Sequence, residues 1–137
     1  MAPWPLLLVG SLLAPSAVAT EPRGFVTALS CRPEAAPGRV LCELTYQAPS
    51  GARLVWVDAL VTRAPDFVRP LRSRLGPGRF GAAGSGERRL SLAFVAGQNG
   101  VGLVTVRARG VVCRGSGPAE SCRPVSRDVQ AEIRVGS

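Results

Sequence analysis

The sequence predicts an all-β protein, an antiparallel immunoglobulin-like β-sandwich of about seven strands with two hairpin disulfides. Three observations support this fold class. Apolar and polar residues alternate along several segments, clusters of Gly and Pro separate those segments, and no segment shows a sustained helical repeat. Short strands at this spacing, in a chain of 137 residues, are typical of such a sandwich.

The first residues predict an export signal. Residues 6–14, LLLVGSLLA, form a short apolar run, and Ala17, Val18 and Ala19 supply the small-x-small pattern that signal peptidase cleaves. The run is shorter than the roughly 20 apolar residues that a membrane-spanning helix needs. We therefore expect a signal peptide over residues 1–19 and one domain over residues 20–137. This domain is expected to be periplasmic or secreted and not to span a membrane.

Four segments carry the alternation that predicts half-buried strands. They are residues 40–47, 90–94, 104–109 and 128–135. In the last of these, Val, Ala and Ile side chains face one way, and Asp, Gln, Glu and Arg side chains face the other. Turn signals rich in Gly and Pro separate the segments, at residues 36–39, 48–51, 76–86 and 97–100.

The segment from Leu54 to Thr62 is apolar on both faces, which predicts a central strand covered on each side. Strict alternation places Leu54, Trp56, Asp58 and Leu60 on one face. A buried carboxylate without a partner is costly, so Asp58 needs a partner such as an arginine unless this face is open. A core position for Trp56 is the commoner arrangement in sandwiches, and we expect it. The alternative is that Trp56 and Asp58 form a binding face.

The cysteines predict two disulfides. An even number of cysteines, four, follows the export signal, and this pattern is typical of a disulfide-bonded exported domain. Of the three pairings, the spacing favours Cys31 with Cys42 and Cys113 with Cys122, because each pair brackets a turn-rich stretch. Zinc is the rival interpretation, but structural zinc sites use cysteines two to four residues apart. We expect no metal.

The chain is strongly basic, and its positive charge comes from arginine alone. All 17 cationic residues are Arg, against 9 acidic residues, for a net charge of +8. The lack of Lys, with abundant Ala, Gly and Pro, is typical of GC-biased codon usage, so the charge does not predict a specific nucleic-acid partner. Arg69, Arg72, Arg74 and Arg79 form a candidate patch for an anionic surface. The commoner role of such a cluster is a solvated face.

The residue types that the chain lacks exclude several kinds of chemistry. There is no histidine, which excludes imidazole bases, Ser-His and Cys-His nucleophile pairs, and His metal ligands. There is no lysine for a Schiff base, and neither phosphate-binding glycine motif is present. We expect no cofactor. Any chemistry that this chain performs must therefore use sulfur.

Two stretches of the chain carry a family resemblance. The first is LTYQAPSGARL, residues 44–54, followed by the strand that ends at Thr62. The second is LSLAFVAGQNGVGLVTVRARG, residues 90–110, which leads into two cysteines, CRP at 122–124, and a last alternating strand. Together they resemble the N-terminal periplasmic domain of the DsbD thiol:disulfide interchange family, over roughly residues 40–135.

This resemblance implies an immunoglobulin-like sandwich in which Cys113 and Cys122 occupy the positions of the electron-carrying pair. It implies an exported thiol-disulfide exchange module, which passes electrons to or from a partner protein of the cell envelope without a cofactor. Cys31 lies outside the similar region, so the Cys31–Cys42 pair is expected to be structural. The alternative function is an exported, disulfide-stapled binding or structural sandwich with no redox role.

Two arginines follow the proposed redox cysteines directly in sequence. Arg114 and Arg123 would supply positive charge, and positive charge stabilises a thiolate. Neighbouring residues in a strand point to opposite faces, however, which limits this effect. The sequence therefore predicts that these two arginines supply positive charge beside the sulfurs, with a slight effect on the thiolate.

Overall fold

In the computed structural model, residues 24–77 and 86–136 are described, and they form two antiparallel β-sheets that face each other. The strands in these residues are β1 (Val26–Cys31), β2 (Gly38–Gln47), β3 (Ala52–Arg63), β4 (Val68–Pro70), β5 (Arg74–Leu75), β6 (Glu87–Ala96), β7 (Gly100–Arg114) and β8 (Ser121–Val135). The first sheet has the order β1-β2-β6-β4 and the second β5-β3-β7-β8. This confirms the predicted all-β, immunoglobulin-like sandwich.

The core lies between the two sheets and follows the alternation in the sequence. In β2, the side chains of Val40, Cys42, Leu44 and Tyr46 are buried, and most residues between them are exposed. The inner face of the second sheet supplies small and β-branched side chains, which include the fully buried Val106 of β7. Each strand therefore buries one face and leaves the other outside the core, as its period of two predicts.

The two longest strands, β7 and β8, form a hairpin that pairs from end to end. Each has 15 residues, and the register runs from Gly100 opposite Val135 to Arg114 opposite Ser121. A short 3-10 turn, Gly117–Ala119, lies in the connection. The sequence predicted the middle of β7, residues 104–109, and the second half of β8, residues 128–135. The first residues of β8, 121–124, show no apolar alternation because both faces of the strand are exposed there.

Strand β3 departs from strict alternation because it contains a bulge. The register shifts between Leu54 and Trp56, so Val55 is an extra residue in this strand. Leu54 is 3% exposed and faces the core together with Val57 and Ala59, whereas Val55 is 48% exposed. The faces predicted for the first residues of this strand were therefore wrong. A bulge inverts the side-chain pattern on one side of it, and nothing in the local sequence marks its position.

A hydrogen bond from a tyrosine side chain joins the two sheets through the core. Tyr46 of β2 is fully buried, and its hydroxyl donates to the backbone carbonyl of Asp58 in β3, at 2.6 Å. The ring of Phe25 packs edge-on against Tyr46, with centroids 5.3 Å apart. Burial raises the pKa of Tyr46. The phenol therefore stays protonated and keeps its role as a donor across the sandwich.

Two sequence predictions fall outside the described residues. The predicted signal peptide, residues 1–19, is one, and Arg79 of the arginine cluster is the other. Among the residues that are described, no helix is long and apolar enough to cross a membrane.

Candidate functional site

Both predicted disulfides are present, and each joins residues that lie directly opposite each other on paired strands. Cys31 of β1 is bonded to Cys42 of β2, with an S–S distance of 2.06 Å. Cys113 of β7 is bonded to Cys122 of β8, with an S–S distance of 2.07 Å. The distance between the two Cα atoms is 4.0 Å in both pairs. The two disulfides therefore share one local geometry, and only their surroundings can distinguish them.

The two disulfides lie on opposite kinds of sheet face. Cys42 belongs to the core cluster, and Cys31 packs against that cluster, so this bond lies on the inner face of its sheet. In β7, the inward residues include Val112, and Cys113 follows it on the outer face. Cys113 is buried but does not belong to the core cluster. The Cys113–Cys122 bond is therefore an outer-face disulfide.

The two cysteines of the outer-face disulfide differ in exposure. Cys113 is 1% exposed, whereas Cys122 is exposed on the edge strand β8. The difference arises because β7 has a neighbouring strand on each side and β8 has one on a single side. Of the two cysteines, Cys122 is therefore the one that solvent reaches.

An ion pair lies beside this disulfide. Arg53 of β3 is the cross-strand neighbour of Cys113, and its guanidinium contacts the Glu120 carboxylate at 2.9 Å. It also donates to the backbone carbonyl of Gly115, at 2.8 Å. The other carboxylate oxygen of Glu120 lies 3.2 Å from Sγ of Cys122. The exposed cysteine therefore has a carboxylate next to its sulfur, and that carboxylate is paired with the Arg53 guanidinium.

The arginines that follow the cysteines in sequence lie elsewhere. Arg114 and Arg123 line a cavity of about 200 Å³ together with Val112, on the face of the hairpin opposite to the disulfide. The Arg114 guanidinium donates to the backbone carbonyl of Ser50, at 3.1 Å. The arginine opposite Cys113 on the neighbouring strand is Arg53, which sequence reasoning missed. Its position depends on the pairing of β3 with β7, and no local signal in the sequence reveals such a pairing.

The disulfide and Glu120 together resemble a metal-ligand set in composition. One ligand atom from each of Cys113, Glu120 and Cys122 lies within 4.8 Å of the others. Metal ligation by cysteine requires the thiolate, however, and the two sulfurs here are bonded to each other. In the oxidised state, these residues are therefore a disulfide with an adjacent carboxylate and not a metal centre.

The second predicted site centres on a buried carboxylate. Asp58 has no exposed surface, although it alternates with the core residue Val57 and so lies on the outer face of β3. Its two carboxylate oxygens accept hydrogen bonds from Arg109 of β7, and Arg74 of β5 approaches within 3.2 Å. Gly76 packs so closely over it that a Cβ there would lie 3.1 Å from the Asp58 Cα. Two arginines therefore pair with Asp58, which was expected to need a partner such as an arginine.

This hydrogen bonding affects Arg109. The hydrogen bond with the Asp58 side chain raises the pKa of the Arg109 guanidinium. The same guanidinium lies over the ring of Trp56, with its central carbon 5.8 Å from the ring centroid. Trp56 is half-buried on the outer face and does not belong to the core cluster. The expected core position of Trp56 was therefore wrong, because Trp56 shares the outer face of β3 with Asp58, whereas Val57 and Ala59 face the core.

Trp56 borders a shallow groove on the outer face of the second sheet. The groove has a volume of about 370 Å³ and crosses β3, β7 and β8. Its lining is mostly apolar and consists of Trp56, Arg109, Gly110, Val111, Pro124, Val125 and Ser126. The predicted binding face around Trp56 and Asp58 is therefore a groove beside Trp56, with the Asp58 carboxylate buried behind Arg109.

The arginines of the predicted anion patch are distributed over different parts of the sandwich. Arg69 is in β4, at the edge of the first sheet, and Arg74 is in β5, at the edge of the second. Arg72 lies in the connection between these strands. Because Arg74 pairs with the Asp58 carboxylate, part of its charge is already compensated.

Comparisons with known proteins add little to this description. No protein-family model matches the chain, and no curated protein matches it. The chain is similar to the ASH/PapD-like domain of human CEP192 (PapD-like domain 7), with a TM-score of 0.41, 10% identity, and coverage of 96% of this chain and 97% of that one. It is also similar to BslA, a bacterial hydrophobin, with a TM-score of 0.34, 13% identity, and coverage of 81% and 95%. At these scores, neither likeness carries a functional argument.

Proposed function

We propose that this protein is an exported thiol-disulfide exchange module that passes two electrons through the Cys113/Cys122 pair to or from a partner protein. The observation that carries the proposal is the asymmetric exposure of the outer-face disulfide. Cys122 is exposed and Cys113 is 1% exposed, whereas in the Cys31–Cys42 pair Cys42 lies in the core and Cys31 is half-buried. Exchange requires a sulfur that an incoming thiolate can reach, and Cys122 meets this requirement.

The exchange begins when one thiolate of a partner dithiol attacks Sγ of Cys122. A new S–S bond forms between the partner and Cys122, the bond between Cys113 and Cys122 breaks, and the electron pair leaves on Sγ of Cys113, which takes a proton from water. The second partner thiolate then attacks the partner sulfur of the mixed disulfide and releases Cys122 as a thiolate. The partner ends as a disulfide and the Cys113/Cys122 pair as a dithiol. The reverse sequence oxidises the pair.

The carboxylate beside the disulfide distinguishes the two sulfurs as leaving groups. Its guanidinium partner, Arg53, is the cross-strand neighbour of Cys113 and is bonded to Glu120 and to the Gly115 carbonyl. Glu120, 3.2 Å from Sγ of Cys122, disfavours a thiolate at Cys122. Of the two sulfurs, Cys113 is therefore suited to carry the charge.

A redox titration tests the proposal. The protein is equilibrated in glutathione or dithiothreitol buffers of graded potential, free thiols are alkylated, and each cysteine pair is quantified by mass spectrometry. We expect the Cys113–Cys122 bond to be reduced at a clearly higher potential than the Cys31–Cys42 bond, which serves as the internal control. A shared potential below about −300 mV for both bonds would rule out the exchange function.

A charge variant tests the role assigned to the carboxylate. Glu120→Gln removes a negative charge beside the attacked sulfur, so we expect glutathione to reduce the bond roughly fivefold faster, as an effect of about 1 kcal/mol implies. Glu132→Gln is the matched control, because Glu132 is an exposed carboxylate of β8, the strand that follows Glu120, and pairs with Arg134. An equal rate for both variants would contradict the assigned role.

One observation favours a second candidate function, a disulfide-stapled binding or structural sandwich. The Glu120 carboxylate repels an approaching thiolate, which slows exchange at Cys122. As a staple across about ten residues, the disulfide contributes roughly 2–3 kcal/mol to stability in the chain-entropy account. The titration distinguishes the two functions. If both disulfides are inert, the candidate binding surfaces are the arginine cluster and the groove beside Trp56. Retention on an anionic polymer tests the arginine cluster.

A further inference from the structure

We propose that the groove beside Trp56 docks the partner polypeptide whose cysteine exchanges with Cys122. The partner segment is extended, with an apolar side chain two positions from its cysteine and an acidic side chain two positions further on. This inference rests on the proposed exchange function and names the class of partner. Three properties of the outer face support it. They are the spacing between successive rows of cross-strand neighbours, the side chains that line the groove, and the charge around Asp58.

The spacing of side chains on this face matches that of an extended peptide. On β8, Cys122 and Pro124 point to the same face because they are two positions apart, and their partners on β7 are Cys113 and Val111. The next row contains Arg109, opposite Ser126. Successive rows are therefore roughly 7 Å apart, which is also the distance between alternate side chains of an extended chain. If the partner's cysteine lies above Cys122, the partner side chain two positions along lies above the groove. The side chain four positions along lies above Arg109.

The row next to the disulfide is apolar. Trp56 pairs with Val111, and Val111 pairs with Pro124, so the three side chains lie side by side across the sheet. All three line the groove. A leucine-sized side chain in this groove would leave water for an apolar surface, and such a transfer is favourable by about 25 cal/mol per Å². The partner residue two positions from its cysteine is therefore apolar.

The following row carries an excess of positive charge. The single carboxylate of Asp58 is shared between Arg109 and Arg74. The side chain of Arg109 is 36% exposed and that of Arg74 is 58% exposed, whereas Asp58 is fully buried. Incoming groups therefore meet two guanidinium groups and no accessible carboxylate at this point. An acidic side chain complements this charge, and a basic one is repelled.

Peptide kinetics test this docking site without use of the disulfide. In a Cys113→Ser variant, the Cys122 thiolate attacks an activated peptide disulfide, the peptide becomes bonded to Cys122, and a coloured aryl thiolate is released. The probe peptides are Cys-Ser-Leu-Ser-Asp and two relatives, in which Gly replaces Leu or Arg replaces Asp. We expect the first peptide to react about tenfold faster than the Gly peptide, as a contact of about 1.4 kcal/mol implies. The Arg peptide should also react more slowly.

Substitutions in the groove provide the second arm of the experiment. Trp56→Ala and, independently, Val111→Ser should remove the preference for the Leu peptide, and Arg74→Gln should reduce the preference for Asp. Leu103→Ser is the control, because Leu103 is a 53% exposed apolar residue of β7 outside the groove. Equal rates for all peptides in the Cys113→Ser protein, or preferences that survive both groove variants, would overturn the inference. A glutathione titration showing an inert disulfide would remove the exchange function without altering these rates.

Discussion

Removal of one hydroxyl tests how the two sheets are joined. Tyr46→Phe keeps the ring and its packing against Phe25 but deletes the hydrogen bond to the Asp58 carbonyl. The hydroxyl and its acceptor are buried, so in the variant the carbonyl loses this partner inside the core. A buried polar group left without a partner costs about 1–3 kcal/mol. We therefore expect Tyr46→Phe to lower the free energy of unfolding by about 2 kcal/mol near neutral pH.

The pH dependence of this difference follows from the pKa of the phenol. Burial raises the pKa of Tyr46 in the folded protein, whereas tyrosine in the unfolded chain titrates near 10. Above about pH 10, the unfolded state therefore binds fewer protons than the folded state, and stability falls as pH rises, by about 1.4 kcal/mol per pH unit. Below about pH 10, the contribution is fully present. Tyr46→Phe has no phenol, so its stability does not fall in this way. A difference of about 2 kcal/mol that shrinks by about 1.4 kcal/mol per pH unit above about pH 10 disappears near pH 11.5, where the two proteins should be equally stable.

The composition makes this measurement specific. The chain has one tyrosine, no histidine and no lysine, and its cysteines are oxidised, so this phenol is the side chain that titrates between about pH 9 and pH 11. Urea unfolding followed by far-ultraviolet circular dichroism gives the two stabilities across this range. Near-ultraviolet absorbance of the phenolate gives the titration directly. A constant stability difference up to pH 11, or a folded-state titration near pH 10, would refute the argument.

Two further pairs of variants test the outer-face carboxylate and the packing of the sheets, each by urea unfolding. Arg109→Met should cost about 3 kcal/mol because Asp58 remains buried with one guanidinium partner fewer, and Asp58→Asn should cost less because both arginines reach water. Equal losses would count against a buried charge at this position. Gly110→Ala should cost about 1–3 kcal/mol, since its Cβ would lie 2.9 Å from an aromatic carbon in the core. Gly97→Ala, with nothing within 4 Å, is its control and should change stability little.

The sequence predicted the parts of the fold that local patterns determine. Alternation in residues 40–47 and 128–135 identified the inner faces of β2 and β8, because a period of two is a property of the strand itself. The two disulfides followed from spacing, because each connects neighbouring strands across a short turn. Both features depend on residues close to each other in the chain, and a single sequence contains that information.

The parts that the sequence did not predict depend on residues far apart in the chain. The bulge at Val55 inverts the pattern of β3, so Leu54 faces the core, whereas Trp56 lies on the outer face. Arg53 lies beside the disulfide because β3 pairs with β7. Likewise, Asp58 and Arg109 are partners although they are 51 positions apart. The composition left sulfur as the candidate reactive atom. The ion pair beside the disulfide, in contrast, depends on the pairing of β3 with β7.

Neither disulfide crosses from one sheet to the other. Cys31–Cys42 lies within the first sheet and Cys113–Cys122 within the second, each between adjacent strands that are also joined by backbone hydrogen bonds. Opening the Cys113–Cys122 bond would therefore separate no layer. In the proposed exchange, a change of oxidation state would act within one hairpin, because the two layers are held together by their packed core and not by sulfur.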